Sequence, residues 1–84
     1  MKKIEYYGNK NIISQRLKSA RLKLGLSQTD LSAKMQLMSV NIDQQMISKI
    51  EHNTRLVTDY ELVCFSLALG VDLEWLVGEG NMFK

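Results

Sequence analysis

The chain has 84 residues, 45% of them apolar, with no proline, a single cysteine and a formal net charge of +2. That length bounds it to one domain with a modest core. No apolar run of about 18 residues is present to span a membrane, and the charged start Met1-Lys2-Lys3-Ile4-Glu5 has no apolar stretch behind it, so a secretory signal is not expected there.

Residues 1–9 read as a flexible N-terminal arm, 10–78 as one helical domain and 79–84 as a short tail. A first helix is expected from about Lys10 to Leu24. Ile13, Leu17, Ala20 and Leu24 form an apolar stripe at helical period, and Gly25 stands where a left-handed cap ends a helix. A second helix opens at Ser27, with Asp30 completing a capping-box variant and Leu26 and Leu31 forming a hydrophobic staple. Its inner face is Leu31, Met35 and Met38.

A third helix opens at Asp43, stapled by Ile42 and Ile47. Ile47 and Ile50 face the core, while Gln44, Gln45, Ser48 and Lys49 occupy the opposite face. Asn53 follows its end and tolerates a left-handed backbone. A fourth helix runs from Thr58, boxed with Glu61 and stapled by Val57 and Leu62, to Leu69, where Gly70 stops it. Leu62, Phe65, Ala68 and Leu69 face inward. A short fifth helix spans about Asp72 to Val77, capped by Asp72 and stapled by Val71 and Leu76. The fold class is therefore all-α.

Charge is unevenly divided. Residues 10–55 carry eight basic and three acidic side chains, and residues 56–84 carry one basic and five acidic. The basic half contains the second and third helices, which suits an anionic partner on that side. Cys64, between Val63 and Phe65, reads as a small apolar group in a reducing cytoplasm. His52 has no cysteine or carboxylate at ligand spacing and reads as solvated surface. No nucleophile–base set, phosphate loop, metal motif, cofactor site or small-molecule cavity is legible, so an enzyme is not expected. Two glutamines opening the third helix suit a different task. Their amides can both donate to and accept from base-pair edges.

The ordered set Arg16-Leu17-Lys18, Arg21, Gly25-Leu26-Ser27-Gln28, Leu31-Ser32, Ile47-Ser48-Lys49-Ile50-Glu51, Glu61-Leu62, Gly70-Val71 and Trp75-Leu76 resembles the lambda-repressor-like (Cro/repressor, or xenobiotic-response-element) helix-turn-helix family. The resemblance covers residues 10–78. It implies a five-helix domain whose third helix lies in the major groove and whose second braces it. It further implies that Gln44 and Gln45 contact bases, with Ser48 and Lys49 one turn on. Gln28 would bind a phosphate at a helix N-terminus and steady the recognition-helix glutamine. Arg21 and Glu51 would form a structural ion pair. Arg16, Lys18, Asn53, Thr54 and Arg55 are candidate contacts to the DNA backbone, supplying affinity rather than sequence choice.

The chain departs from that pattern twice. Leu37 to Ile42 lengthens the link between the second and third helices, and Gln36 replaces the turn glycine. Either the second helix runs longer or a longer turn leads into the third. Met46 replaces a small hydroxyl residue and can instead meet a thymine methyl. Two functional readings follow. One is a sequence-specific double-stranded-DNA-binding repressor acting as a homodimer through the fifth helix and tail (Trp75, Val77, Met82, Phe83). The other is a protein-interaction module, such as an antitoxin or anti-regulator, using the apolar residues of 37–42 and 82–83.

Overall fold

The computed structural model describes residues 6–78. Its helices are α1 (Ser14–Lys23), α2 (Gln28–Leu37), α3 (Gln44–Glu51), α4 (Asp59–Leu69) and α5 (Leu73–Leu76). The all-α, five-helix architecture that the resemblance implies is the one observed. Residues 1–5 of the expected arm and the expected tail, 79–84, lie outside the described residues.

Three helices begin on the expected capping side chains. Ser27 Oγ accepts from the Asp30 N–H at 2.9 Å, and Asp30 Oδ2 accepts from the Ser27 N–H at 2.9 Å. Thr58 and Glu61 exchange the equivalent pair at 3.3 and 3.0 Å. Asp43 Oδ1 accepts from the Met46 N–H at 2.8 Å. Each bond satisfies a helix donor that has no partner within its own helix. Asp72 precedes α5 but makes no side-chain cap bond.

α1 starts about four residues later than its periodicity suggests, and the reason lies at the far end of α3. The N–H groups of Lys10 and Asn11 both donate to Asn53 Oδ1, at 2.9 and 3.1 Å. The Asn11 amide donates to the carbonyls of Ile50 and Arg55, each at 3.0 Å. Asn11 Oδ1 in turn accepts from the Ile13 N–H at 3.0 Å. These bonds hold residues 10–13 against α3 and draw their backbone groups out of a helix. Within the expected arm, Tyr6 and Asn9 exchange backbone bonds of 2.7 and 2.8 Å around Tyr7 and Gly8, both at positive φ. The Asn53 amide donates to Asn9 Oδ1 at 2.7 Å, so this turn is tied down too.

Helix ends repeat one device. Gly25 (φ 70), Ser39 (φ 63), Asn53 (φ 60) and Gly70 (φ 65) each place a left-handed residue after a helix. The next N–H then reaches back across the last turn: Leu26 to Arg21 O, Val40 to Met35 O, Thr54 to Lys49 O and Val71 to Ser66 O. This Schellman pattern satisfies carbonyls that the helix leaves open. It also settles the lengthened link. α2 ends at Leu37, and the left-handed position is Ser39, while Gln36 stays helical and donates to Ile42 O at 3.3 Å. Val40 and Ile42 are buried, so the extra residues fold into the core.

Around Phe65 the core gathers Ile13, Leu17, Ala20, Leu31, Met35, Val40, Ile42, Ile47, Ile50, Leu69 and Leu76. All four expected staples lie in or against it. Leu62, Ala68, Met38 and Cys64 are only half-buried. Leu24, expected in the α1 stripe, is exposed because the helix has ended there and the chain is turning.

Two substitutions at matching left-handed positions should have opposite signs. Ser39→Gly relieves a Cβ that disfavours positive φ and should raise stability by about 0.5–1 kcal/mol. Asn53→Gly keeps the backbone permitted but removes the clamp on residues 9–11, so it should destabilise by roughly 2 kcal/mol. Urea denaturation of both variants checks the contrast.

Candidate nucleic-acid interface

α3 turns by about 100° per residue, so burying Ile47 and Ile50 presents a fixed opposite face. Gln45, Lys49 and His52 on that face are exposed, and Ser48 is half-buried. Gln44 sits at its flank, beside α2. The face offers an amide, a hydroxyl, an ammonium and an imidazole. Such groups can donate to or accept from base edges and phosphates.

A polar chain runs behind this face through three helices. Arg21 Nε donates to Glu51 Oε2 at 2.7 Å and Arg21 Nη2 to Glu51 Oε1 at 2.9 Å, while Arg21 Nη1 donates to Leu26 O at 2.8 Å. The two side chains are 8% and 2% exposed, so α1 and α3 are joined by a desolvated bidentate pair. Hydrogen bonding to Glu51 holds the Arg21 guanidinium above its ordinary range. Gln28 Nε2 donates to the same Glu51 Oε1 at 3.0 Å, and Gln28 Oε1 accepts from Gln44 Nε2 at 2.7 Å. A carboxylate only accepts, so Gln28 must turn its NH₂ toward Glu51 and its oxygen toward Gln44. Gln44 must then present its own NH₂ to Gln28. The charge on Glu51 thus fixes which way both amides point. Gln44 keeps its oxygen and a second N–H for a ligand.

Three residues expected to contact the DNA backbone also make internal bonds. Arg55 makes a bidentate pair with Glu61, at 2.9 and 3.0 Å, and donates to Leu56 O at 3.0 Å. Asn53 Oδ1 accepts from the Lys10 and Asn11 N–H groups, and its Nδ2 donates to Asn9 Oδ1. Arg16 donates to Trp75 O at 3.1 Å, and its guanidinium lies 5.0 Å from the Trp75 ring centroid, fastening α1 to α5. Cationic or amide side chains near a helix end look alike in sequence whether they face solvent or an internal partner. Lys18 and Lys49, by contrast, are exposed. Thr54 is exposed as well, with its hydroxyl donating to Lys49 O at 3.0 Å. Near Gln28, the first turn of α2 carries the Asp30 carboxylate, which the Ser27 N–H and hydroxyl hold below its usual range. A phosphate at this end would therefore rely on amide donors rather than on net positive charge.

Sequence reasoning missed Glu61 and Asn11 as buried polar anchors. Arg55 and Glu61 are six residues apart and joined across a loop, a spacing with no helical signature. Burial pushes the Glu61 carboxyl up, but the Arg55 guanidinium and the Thr58 N–H pull harder, leaving it below the usual carboxylate range.

A helix-turn-helix family model matches residues 17–76. Among solved structures, the chain is similar to the restriction-modification controller protein C.Esp1396I, determined as a tyrosine-to-phenylalanine mutant. The TM-score is 0.69 and the identity 29%, over 96% of this chain and 100% of that one. No curated protein matches. Among the described residues, no helix is long and apolar enough to cross a membrane.

Arg55→Met strands the Glu61 carboxylate and should cost about 2–3 kcal/mol near pH 7, less than for a fully buried pair. Because the folded value of Glu61 is depressed, its stabilising contribution is complete above the unfolded value of about 4.3 and is lost as pH falls through the lower folded value. The deficit of the variant should therefore shrink toward about pH 3. Denaturation at both pH values checks this, and a deficit that persists in acid would point to lost packing instead.

Proposed function

The chain belongs to the lambda-repressor-like (Cro/repressor) helix-turn-helix family of DNA-binding transcription regulators, and from that premise we propose that it is a sequence-specific repressor. In this reading α3 enters the major groove of an operator. The observation that carries it is the fixed Gln44 amide beside an exposed Gln45 on the free face of α3. Pre-oriented donors and acceptors suit adenine or guanine edges in that groove. Ser48 and Lys49 extend the reading face, while Lys18, Thr54 and the α2 end at Gln28 meet phosphates. The solved neighbour is a restriction-modification controller, which supports a regulatory task of the same kind. A cytoplasmic setting, bacterial or phage, fits this role.

One α3 makes few base contacts, so the operator would be bound by a homodimer on half-sites about one helical turn apart. The fifth helix and tail remain one candidate surface for this pairing. Trp75 and Val77 are half-buried, and Met82 and Phe83 lie outside the described residues. A second candidate surface is on α4. Tyr60, Val63 and Leu67 are 59%, 46% and 67% exposed and share one face at spacings of three and four. The core-facing side of α4 packs chiefly on α1, α2 and α5. Pairing two such stripes about a two-fold axis leaves the outward faces of both α3 helices free for DNA.

Selection from a random duplex library should return a palindromic motif for the wild type. Gln44→Ala and Gln45→Ala should each relax preference at one or two positions, at a cost of about 1–3 kcal/mol. Equal loss on every sequence would reassign them to phosphates, and no enrichment would favour a protein partner. Leu67→Glu should give a folded monomer by sedimentation, with half-site affinity only. An unchanged dimer would remove α4 from the interface.

A further inference from the structure

His52 lies seven residues beyond Gln45, two turns along the same outward face of α3, and is exposed. Its Nδ1 is 2.7 Å from the carbonyl oxygen of Ser48. A carbonyl only accepts, so Nδ1 carries a proton and donates. The neutral ring is thereby held as one tautomer, with its bare Nε2 directed away from that bond. A bare nitrogen can only accept, and an unprotonated ring has nothing to offer a phosphate. Protonation converts Nε2 into a charged donor. Histidine is the side chain whose charge ordinarily changes between about pH 5 and 8, and the chain contains one histidine.

The surroundings leave that charge available. Glu51, next in sequence, has its carboxylate committed to Arg21 and Gln28. Across the open cleft that His52 lines, α1 presents Ser14, Gln15 and Arg16, and the loop after α3 presents Asn53. Arg16 is drawn toward Trp75. Lys49 stands one turn back on α3. Among the described residues, Glu51 is the carboxylate that lines the cleft. If the start of α3 reads base edges, His52 lies about 10 Å further along the helix axis, near the edge of a groove about 12 Å wide, where the phosphates run.

We infer that His52 is a DNA-contacting residue whose partner is a backbone phosphate and whose contact forms on protonation. This rests on the reading of α3 as the recognition helix. A repressor so built grips its operator more tightly as the medium acidifies.

The test is the affinity of the full chain for its selected duplex at about pH 8 and pH 5.5, over a range of salt, for wild type, His52→Gln and His52→Arg. Wild type should bind roughly five- to tenfold more tightly at the lower pH, with the salt slope steeper by about one phosphate. His52→Gln should bind at both pH values as the wild type does at pH 8. His52→Arg should bind at both as the wild type does at pH 5.5, a rescue that a purely structural role would not give. A wild type without pH response, or an equal response in His52→Gln, overturns the role of His52 while the recognition-helix reading stands. Failure to bind any duplex at either pH overturns both.

Discussion

The bidentate pair between Arg21 and Glu51 is the interaction on which the functional face depends. It stands where water is excluded, so neither partner can be lost without leaving an uncompensated charge. Its geometry also does more than join α1 to α3. Glu51 has acceptor capacity left after Arg21, and Gln28 fills it. Gln28 then has only its oxygen to offer Gln44. A structural ion pair thus sets the orientation of an amide on the solvent side of the domain, through two hydrogen bonds. Oriented groups lose less freedom on binding than mobile ones, which is how a buried charge pair contributes to recognition without touching the ligand.

A second constraint is the shortness of the connections. Four helices end on a left-handed residue that folds the chain back at once. Two of those positions are glycine. The other two show different solutions to the same backbone requirement. Asn53 accepts the strained φ and gains three hydrogen bonds to the N-terminal segment. Ser39 accepts it with no side-chain bond of its own to the turn, and Val40 seals the bend by burying itself beside the last turn of α2. The lengthened link is thus a compact element that sets the approach of α2 to α3.

Much of this was legible in the residues. The cap and staple pattern placed the starts of α2, α3 and α4, because capping is local chemistry written within four residues. The Arg21–Glu51 pair was legible only through the family resemblance, since thirty residues of intervening chain conceal it. What sequence could not reveal was who partners whom over distance. Arg55, Asn53 and Arg16 have the composition of phosphate ligands and are held by Glu61, residues 9–11 and Trp75. The start of α1 was misjudged because the periodicity of its apolar residues continues through a segment that Asn53 pulls out of the helix. The outward stripe of α4 was hidden for a related reason. A helix apolar on every side has no contrast from which to tell its buried face from its free one.

The Gln28–Gln44 bond has a consequence for transplantation. A helix that reads DNA is often treated as a cassette, movable between scaffolds with its preference intact. Here half of the device that aims Gln44 belongs to α2, and that half is anchored by a carboxylate whose counterion belongs to α1. Exchanging α3 alone would move the letters and leave their alignment behind. The smallest portable unit is the four-residue chain Arg21, Glu51, Gln28 and Gln44, which spans most of the first three helices.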